Sequence, residues 1–551
     1  MSVFQTIKLI PSPLRKQGVW IIVSAVLQAI LNMAGLTVLI PLIILIFDPD
    51  KLVNYDWFNS YRDLIVIAIV CFIIIKNLLN IQLTNLRIRY INKLFCYYSE
   101  KMYDSYYHQG LLFTKEKHSD KLTYNTNTVS YLFTHGILSL TFSMISEILL
   151  LLFIWCGILW FSPIIALCIA ICLLPFIIIY FYWVRKKLAV YGKEENEAKR
   201  RIMTLVGDTF RGYQEVKLND AYPWLKKRFA ANISLITNCR EWITRALQIP
   251  QGMMEFYVIA GIILFAIAGG NNSETRLTLG ILAVSALRML PSLRSLITMA
   301  TQWKNNAFTI SIIKNIPEIT EKTDELQSID FQKQIKINNI SFRYPGKDSY
   351  ILKNFSLNIN KGECIGIQGI SGIGKTTLYN LLLGFYMPQE GEILIDNIQL
   401  NKQTCNAWQK LIAYVPQDIF IMDATLAENI AFGAENIDNE RLMTAIGQSG
   451  LISRLSSLSD GIHTRIGQNG SFLSGGERQR VGIARALYKK AGVLLFDETT
   501  SSLDSKAEKE IMDTIYKLST DNNNLTITII SHKQSALTFC NRIVDLDKDL
   551  L

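Results

Sequence analysis

Eight consecutive residues, Gly369-Ile370-Ser371-Gly372-Ile373-Gly374-Lys375-Thr376, have the spacing of a phosphate-binding loop. They follow the apolar run ECIGIQG and open the helical stretch TTLYNLLLG, the strand-to-helix setting that this loop requires. Its glycines let backbone N–H groups curl around phosphates at a helix N-terminus, where the dipole is positive. Lys375 then reaches the β- and γ-phosphates, Thr376 offers its hydroxyl to Mg²⁺, and Thr377 comes next as a further nucleotide contact. A second constellation, Val493-Leu494-Leu495-Phe496-Asp497-Glu498, is an apolar strand ending in two carboxylates. Asp497 is placed to serve the metal and Glu498 to polarise an attacking water, against the plainer reading of an acidic strand end. The chemistry implied is cleavage of a nucleoside triphosphate.

Between these motifs lies Leu473-Ser474-Gly475-Gly476-Glu477-Arg478-Gln479-Arg480, and LLFDE comes about a dozen residues after it. With that combination the sequence resembles ATP-binding-cassette (ABC) transporters along essentially its whole length, in the form of an exporter half-transporter. The resemblance implies ATP and Mg²⁺ as cofactors. It further implies that Tyr344 in SFRYPG stacks on adenine and that Gln417 in YVPQD senses Mg²⁺ and the membrane domain. His532 in IISHK matches the histidine that contacts the γ-phosphate, and Asp504 in SSLD the loop crossing a dimer interface. Catalysis is thus expected from Glu498, His532 and Gln417, with Thr376, Gln417 and Asp497 at the metal. Ser474, Gly475 and Gly476 complete the opposite subunit's site in this family, so one cassette per chain implies a partner. The intact Glu498, His532 and LSGGE favour a homodimer.

Three positions depart from the family pattern. Gln468 in TRIGQNG stands where exporters usually have Glu, Ser502 where Ala is common, and Lys533 where Arg is common after the histidine. These bear on coupling rather than on ATP use. The sequence stops at Leu551 without the usual terminal helices.

The elements that must position this chemistry are of two kinds. From about Phe331, β-rich runs (IKINNISF, GEILID, LIAYVPQ, VLLFDE, LTITIIS, RIVDLD) alternate with helical stretches, which implies an α/β domain with a largely parallel sheet. Before Met299 the sequence is dominated by apolar runs. The 551 residues are 50% hydrophobic and only 19% charged, with mean hydropathy +0.23. That balance excludes a disordered chain and points to a membrane. Six spans are expected: Val19 to Phe47, Leu64 to Leu83, Ile137 to Phe161, Ile164 to Val184, Met253 to Gly269 and Leu277 to Met299. The fold class is therefore a multi-domain membrane protein, with an all-α six-helix transmembrane domain (1–312), a linker (313–332) and an α/β P-loop ATPase domain (333–551).

Lys and Arg crowd the segments after the second and fourth spans, including Arg87, Arg89, Lys115 and Lys117, then Arg185, Lys186 and Lys187. These segments are expected to face the cytoplasm, together with both termini. Each contains a polar interruption, at Leu112 to Leu122 and at Glu215 to Phe229, that resembles a coupling helix of the family. The alternative is a basic face over lipid headgroups. The net charge of +10 belongs to these flanks rather than to nucleic acid. The nine cysteines are scattered without a CxxC pair and read as small apolar residues. No cleavable signal pattern opens the chain and no peptidase domain precedes the first span. A bacterial inner (cytoplasmic) membrane is expected.

Ionisable residues inside spans are costly and usually functional. Lys76, Glu147, Arg288 and Arg294, with Glu255, suggest a cationic inner cavity for an anionic headgroup. The competing reading pairs Glu147 with Arg288 and Glu255 with Arg294 purely for packing. GLTVLIPLIILIFD, SEILLLLF and ALRMLPSLRSL resemble bacterial flippases for lipid-linked oligosaccharides, which implies an anionic lipid-linked substrate and contact with membrane lipid. Export of a peptide or modified peptide, or of a generic lipid or drug, stands as the alternative. A gated pore or an ATP-responsive regulator on the same scaffold is disfavoured by the intact Glu498 and His532.

Overall fold

The computed structural model describes residues 6–38, 62–117, 119–161, 163, 187, 190–268, 273–318, 328–500, 503–521 and 524–549. The chain divides into two units, Met1–Thr320 and Glu321–Leu551. The first is helical and the second α/β, as the sequence pattern implies.

In the first unit, α1 (Ser12–Thr37) and α2 (Arg62–Tyr107) come first. After them come α3 (Leu140–Phe161), α4 (Tyr222–Ala268), α5 (Ser273–Asn305) and the short α6 (Phe308–Lys314). Among the described residues, three helical stretches are long and apolar enough to cross a bilayer: Ser12–Gly35, Leu64–Tyr107 and Ser119–Trp160. The fourth expected span lies outside the described residues, as does the far end of the first. The fifth expected span falls within α4 down to Ala268, and the sixth within α5, which continues through Pro291. Leu64, Ile67, Val70, Ile74 and Leu78 are exposed along α2, an apolar surface suited to lipid and not to water.

Past that apolar stretch, α2 changes partner. Tyr90, Leu94, Tyr98 and Met102 recur every four residues and so share one helix face. They are buried with Val129, Phe133, Ile137, Phe142, Ile310 and Ile313 in one core. Tyr90 and Tyr98 bury their rings there while their hydroxyls donate to the Leu14 and Leu9 carbonyls, which anchors the start of the chain. Two π-helical turns, Tyr124–Val129 and Thr134–Ser139, bracket Phe133 on the way into α3. Ile313 packs in this core, and Ile329 and Phe331 are buried in the second unit. The stretch expected to be a linker is thus drawn into folded structure at both ends.

The two basic segments turn through short helices, Gly110–Glu116 and Ser119–Thr123 in one and Tyr213–Leu218 in the other. Asp220, at φ 48°, makes the second bend so abruptly that α4 resumes at Tyr222. The helix expected across Glu215 to Phe229 is therefore broken after Leu218. Arg211 reaches Asp120 at 3.2 Å, tying one bend to the other, and Glu195 holds both Lys199 (2.7 Å) and Arg240 (2.9 Å). The Arg211 pair is largely exposed and contributes at most about 1 kcal/mol.

The second unit has two sheets. An antiparallel sheet is built from β1 (Gln334–Phe342), β2 (Leu352–Asn360), β4 (Glu390–Ile395) and β5 (Ile398–Gln399) in the order β2-β1-β4-β5. A parallel sheet has the order β6-β7-β8-β3-β9, from β3 (Cys364–Gln368), β6 (Ile412–Val415), β7 (Val493–Asp497), β8 (Thr526–Ile530) and β9 (Arg542–Asp545). The strands β7 and β8 are buried at every position, as central parallel strands covered on both faces must be. Around them pack α7 (Lys375–Leu382), α8 (Gly475–Lys489) and α9 (Ser505–Asp521), with Val415, Ile483, Phe496, Ile511 and Ile515 in one cluster.

Asp396, at the β4–β5 turn, accepts backbone N–H bonds from Gln332 (2.7 Å), Lys333 (2.8 Å) and Gln334 (2.7 Å) and so fixes where β1 begins. Burial alone would raise its carboxyl, but the three donors outweigh that and hold it below the usual range. A depressed carboxyl contributes stability above its unfolded pKa and loses it as the pH falls. Asp396→Ala is expected to destabilise the second unit by about 1 kcal/mol near neutrality, after screening by solvent. The gap between wild type and variant should begin to narrow below about pH 4 and go on narrowing as the pH falls through the depressed folded value. Chemical denaturation of both across that range checks this, and a gap that does not narrow in acid refutes it.

Candidate nucleotide site

The parallel strands deliver the functional residues from their carboxyl ends, where such sheets bind ligands. β3 runs into the phosphate-binding loop, and Gly369, Gly372 and Gly374 have φ of 156°, 85° and 115°. At Gly374 a Cβ would sit 2.8 Å from Ile351 Cγ2, so the loop needs glycine there for both conformation and space. A Cβ at Gly372 would meet nothing within 4 Å, so there it is the left-handed backbone alone that favours glycine. Asp547 accepts from the Ile370 N–H (3.0 Å) and braces the loop from behind β9.

Lys375 opens α7 as a buried cation. Its Nζ donates to the carbonyls of Gly369 (2.8 Å) and Ile370 (3.0 Å) and lies 3.2 Å from His532 Nε2. Burial lowers its pKa, opposed by Glu498, Asp497 and Asp547. His532 Nε2 is also 2.9 Å from Glu498 Oε1. That nitrogen offers a lone pair to Lys375 when neutral there, or a proton to Glu498 when protonated, and not both together. Glu498 itself has φ 48°, with its N–H bonded to the Ile530 carbonyl at 3.0 Å. The left-handed backbone turns the chain off the end of β7 and brings this carboxylate to His532.

Asp497 ends β7 as a buried carboxylate. Burial raises its pKa, while hydrogen bonds from Tyr414 (2.9 Å) and Thr376 pull the other way. Lys375, Thr376, Asp497, Glu498 and His532 are therefore gathered in one place. The oxygen donors of Thr376, Asp497 and the Gln417 amide suit a hard divalent cation, and the glycine cradle suits phosphate.

The remaining expected residues each have partners of their own. Tyr344 packs edge-to-face on Phe342 and Tyr386, and its hydroxyl meets the Thr377 hydroxyl at 3.1 Å. Gln417 is exposed, and its carbonyl accepts from Gln479 Nε2 at 2.6 Å. Ser474 caps α8 in a reciprocal box with Glu477, which places Gly475 and Gly476 in that helix's first turn. Asp504 accepts from the Ala507 N–H at 2.8 Å at the start of α9. The Gln468 side chain and Ser502 lie outside the described residues. Lys533, at the position of the family's Arg, pairs with Glu508 at 2.5 Å.

In the first unit, Lys76 lies against α1, where a Cβ at Gly35 would be 3.0 Å from its Nζ. One turn on, Asn80 Nδ2 donates to Asn32 Oδ1 at 3.0 Å. Glu147 is half-buried within electrostatic reach of Arg87. Arg294 is exposed, and the side chains of Arg288 and Glu255 lie outside the described residues. In the sequence Arg87 is readable only as part of a basic flank, and Asn32 and Asn80 carry no signal. Tyr414 and Gln479 fall inside YVPQD and LSGGERQR without their bonding roles being readable from either run, and Asp547 carries no signal, because hydrogen bonds between distant elements leave no spacing pattern.

Geometry and fold define a P-loop nucleoside triphosphatase. Residues 352–501 match the family described as ABC transporter. The chain is 30% identical over 372 residues to an ATP-dependent lipid A-core flippase of Bordetella avium, covering 66% of this chain and 62% of that one. A flippase of the same name from Pseudomonas fluorescens is 28% identical over 437 residues, covering 78% and 71%. The chain thus spans just under two thirds of the Bordetella relative. A bacterial Atm1-family ABC exporter solved with ATP bound shares the fold, with TM-score 0.78 and 21% identity over 97% of this chain and 94% of that chain. Residues 352–501 are an ABC transporter ATPase domain, and the chain as a whole has the fold of the ABC exporter, a helical unit followed by one ATPase domain.

Gly374→Ala forces a side chain into a left-handed backbone and against Ile351. It is expected to weaken ATP binding by at least about tenfold, from strain of about 1–3 kcal/mol plus the clash. Titration with a fluorescent ATP analogue checks this, and unchanged affinity would count against the cradle.

Proposed function

We propose that the chain acts as a homodimer that hydrolyses Mg²⁺-bound ATP to export or flip an anionic, lipid-linked substrate across the bacterial cytoplasmic membrane. The observation that carries the ATPase part is the convergence of Lys375, Glu498 and His532 within 3.2 Å contacts at the end of the parallel sheet. Asp497 and Thr376 hydrogen-bond to each other beside them. Glu498 holds a proton-accepting carboxylate toward an attacking water, and His532 Nε2 serves either this carboxylate or the Lys375 ammonium, according to the tautomer it holds. Mg²⁺, when bound, spreads the charge that develops on the transferred phosphoryl group. Ser474 and the glycines after it sit at the N-terminus of α8, the positive end of a helix dipole. That end suits the γ-phosphate of a nucleotide held by a second copy. ATP then favours the closed dimer, and hydrolysis removes the preference.

The lipid assignment rests on the flippase relatives and on Lys76, an ammonium placed among apolar residues of α2. A second reading, export of a protein or peptide, is favoured by 38% identity over 219 residues to a leukotoxin export ATP-binding protein of Aggregatibacter actinomycetemcomitans. That match covers 40% of this chain and 31% of the relative.

Purified protein in liposomes is expected to hydrolyse ATP, and Glu498→Gln to lose at least about 100-fold in kcat while retaining ATP affinity. Addition of lipid A-core or a polyprenyl-diphosphate oligosaccharide should stimulate the wild type alone. Robust turnover indifferent to either lipid would shift the assignment to protein or peptide export. Lys76→Glu is expected to abolish the lipid response and keep basal hydrolysis, and an unaltered response would remove Lys76 from the substrate path.

A further inference from the structure

Asp497 is held by two hydroxyls that come from opposite sides of the site. Thr376 belongs to the phosphate-binding loop and reaches the carboxylate from α7. Tyr414 belongs to β6, the strand hydrogen-bonded to β7 in parallel register, with Tyr414 opposite Leu495 and Val415 opposite Phe496. Its hydroxyl donates to Asp497 Oδ2 at 2.9 Å. The Tyr414 ring is itself fixed edge-to-face against Tyr379 at 6.3 Å, and Tyr379 is fully buried. The Tyr379 hydroxyl accepts from Thr528 (2.9 Å) and donates to the Phe496 carbonyl (3.3 Å), so it serves the strand and not the carboxylate. Three residues beyond Tyr414, the Gln417 carbonyl is tied by Gln479 from α8.

The strand leading to Gln417 is therefore fastened to the metal-site carboxylate at one end and to α8 at the other. We propose that Tyr414 is a positioning residue for the divalent cation: its hydroxyl fixes the orientation of Asp497 and so sets which carboxylate oxygen is offered to the metal. The inference deepens the hydrolase reading and rests on it. A carboxylate ending a short strand is free to rotate about its terminal bond, and a charge-assisted hydrogen bond at one oxygen removes that freedom. Thr376 has a second task at the metal, whereas Tyr414 has its hydroxyl committed to Asp497. Because Tyr414 lies on the strand that carries Gln417, its bond also makes the cation's carboxylate and the residue expected to sense the cation move as one piece.

The test uses the full-length protein in detergent with a non-hydrolysable ATP analogue, titrated with Mn²⁺ and read by electron paramagnetic resonance. Tyr414→Phe removes one oxygen and keeps the ring against Tyr379, so folding is retained, and thermal unfolding is run alongside. The variant is expected to raise the Mn²⁺ half-saturation point by about tenfold, the usual weight of a hydrogen bond to a charged group. Analogue binding without metal should be unchanged, and kcat should recover at high Mg²⁺. Tyr379→Phe, which loses a buried hydroxyl of the same network without touching Asp497, is expected to leave Mn²⁺ binding within about twofold of wild type. Equal Mn²⁺ affinity in Tyr414→Phe and wild type overturns the proposal, as does an equal loss in both variants. Failure of the wild type to bind Mn²⁺ with the analogue would instead overturn the hydrolase reading.

Discussion

The pairing of β7 between β6 and β8 is the constraint on which the nucleotide site depends. Parallel register places Phe496 beside Val415 on one side and Asp497 beside Ile530 on the other. All three strands end together, so the residues just beyond them arrive at one edge: Gln417 past β6, Glu498 past β7 and His532 past β8. β3 joins on the far side of β8 and brings the glycine loop. Every side chain of β7 and β8 is buried, so a slip of either strand by a residue would misfit its packing on both faces and move the residues at its end away from the shared edge. The geometry of the catalytic groups is thus held by apolar packing several residues away from them.

Motif spacing makes half of this legible. The phosphate-binding loop, the paired carboxylates and the LSGGERQR run depend on local chain geometry, and local geometry is written in consecutive residues. Strand and helix alternation reveals the α/β character of the second unit. The roles of Tyr414 and Gln479 leave no such trace because each acts on a residue more than sixty positions away. Their partners are chosen by sheet order, which a single sequence does not state. Asp547 is a stronger case, since it braces a loop 177 positions earlier in the chain.

In the helical unit the apolar runs are readable but their continuation is not. Hydropathy marks where α2 leaves lipid and says nothing about the tyrosine face that takes over, because Tyr90 and Tyr98 are polar by type and buried by use. The charges divide in the same way. Lys76 is visible as a cation in an apolar run, whereas its nearness to Gly35, and the neighbouring Asn32–Asn80 bond, come from helix packing.

The left-handed backbone at Glu498 carries a cost that the fold has no need to bear. A non-glycine residue in that region gives up about 1–2 kcal/mol of conformational energy. The strand end is where the sheet could most easily relax, and it is kept bent because only the bent form presents this carboxylate to His532. Under the proposed hydrolysis, durability and turnover are set against each other at one peptide unit. Glycine there would relieve the backbone and remove the carboxylate with it.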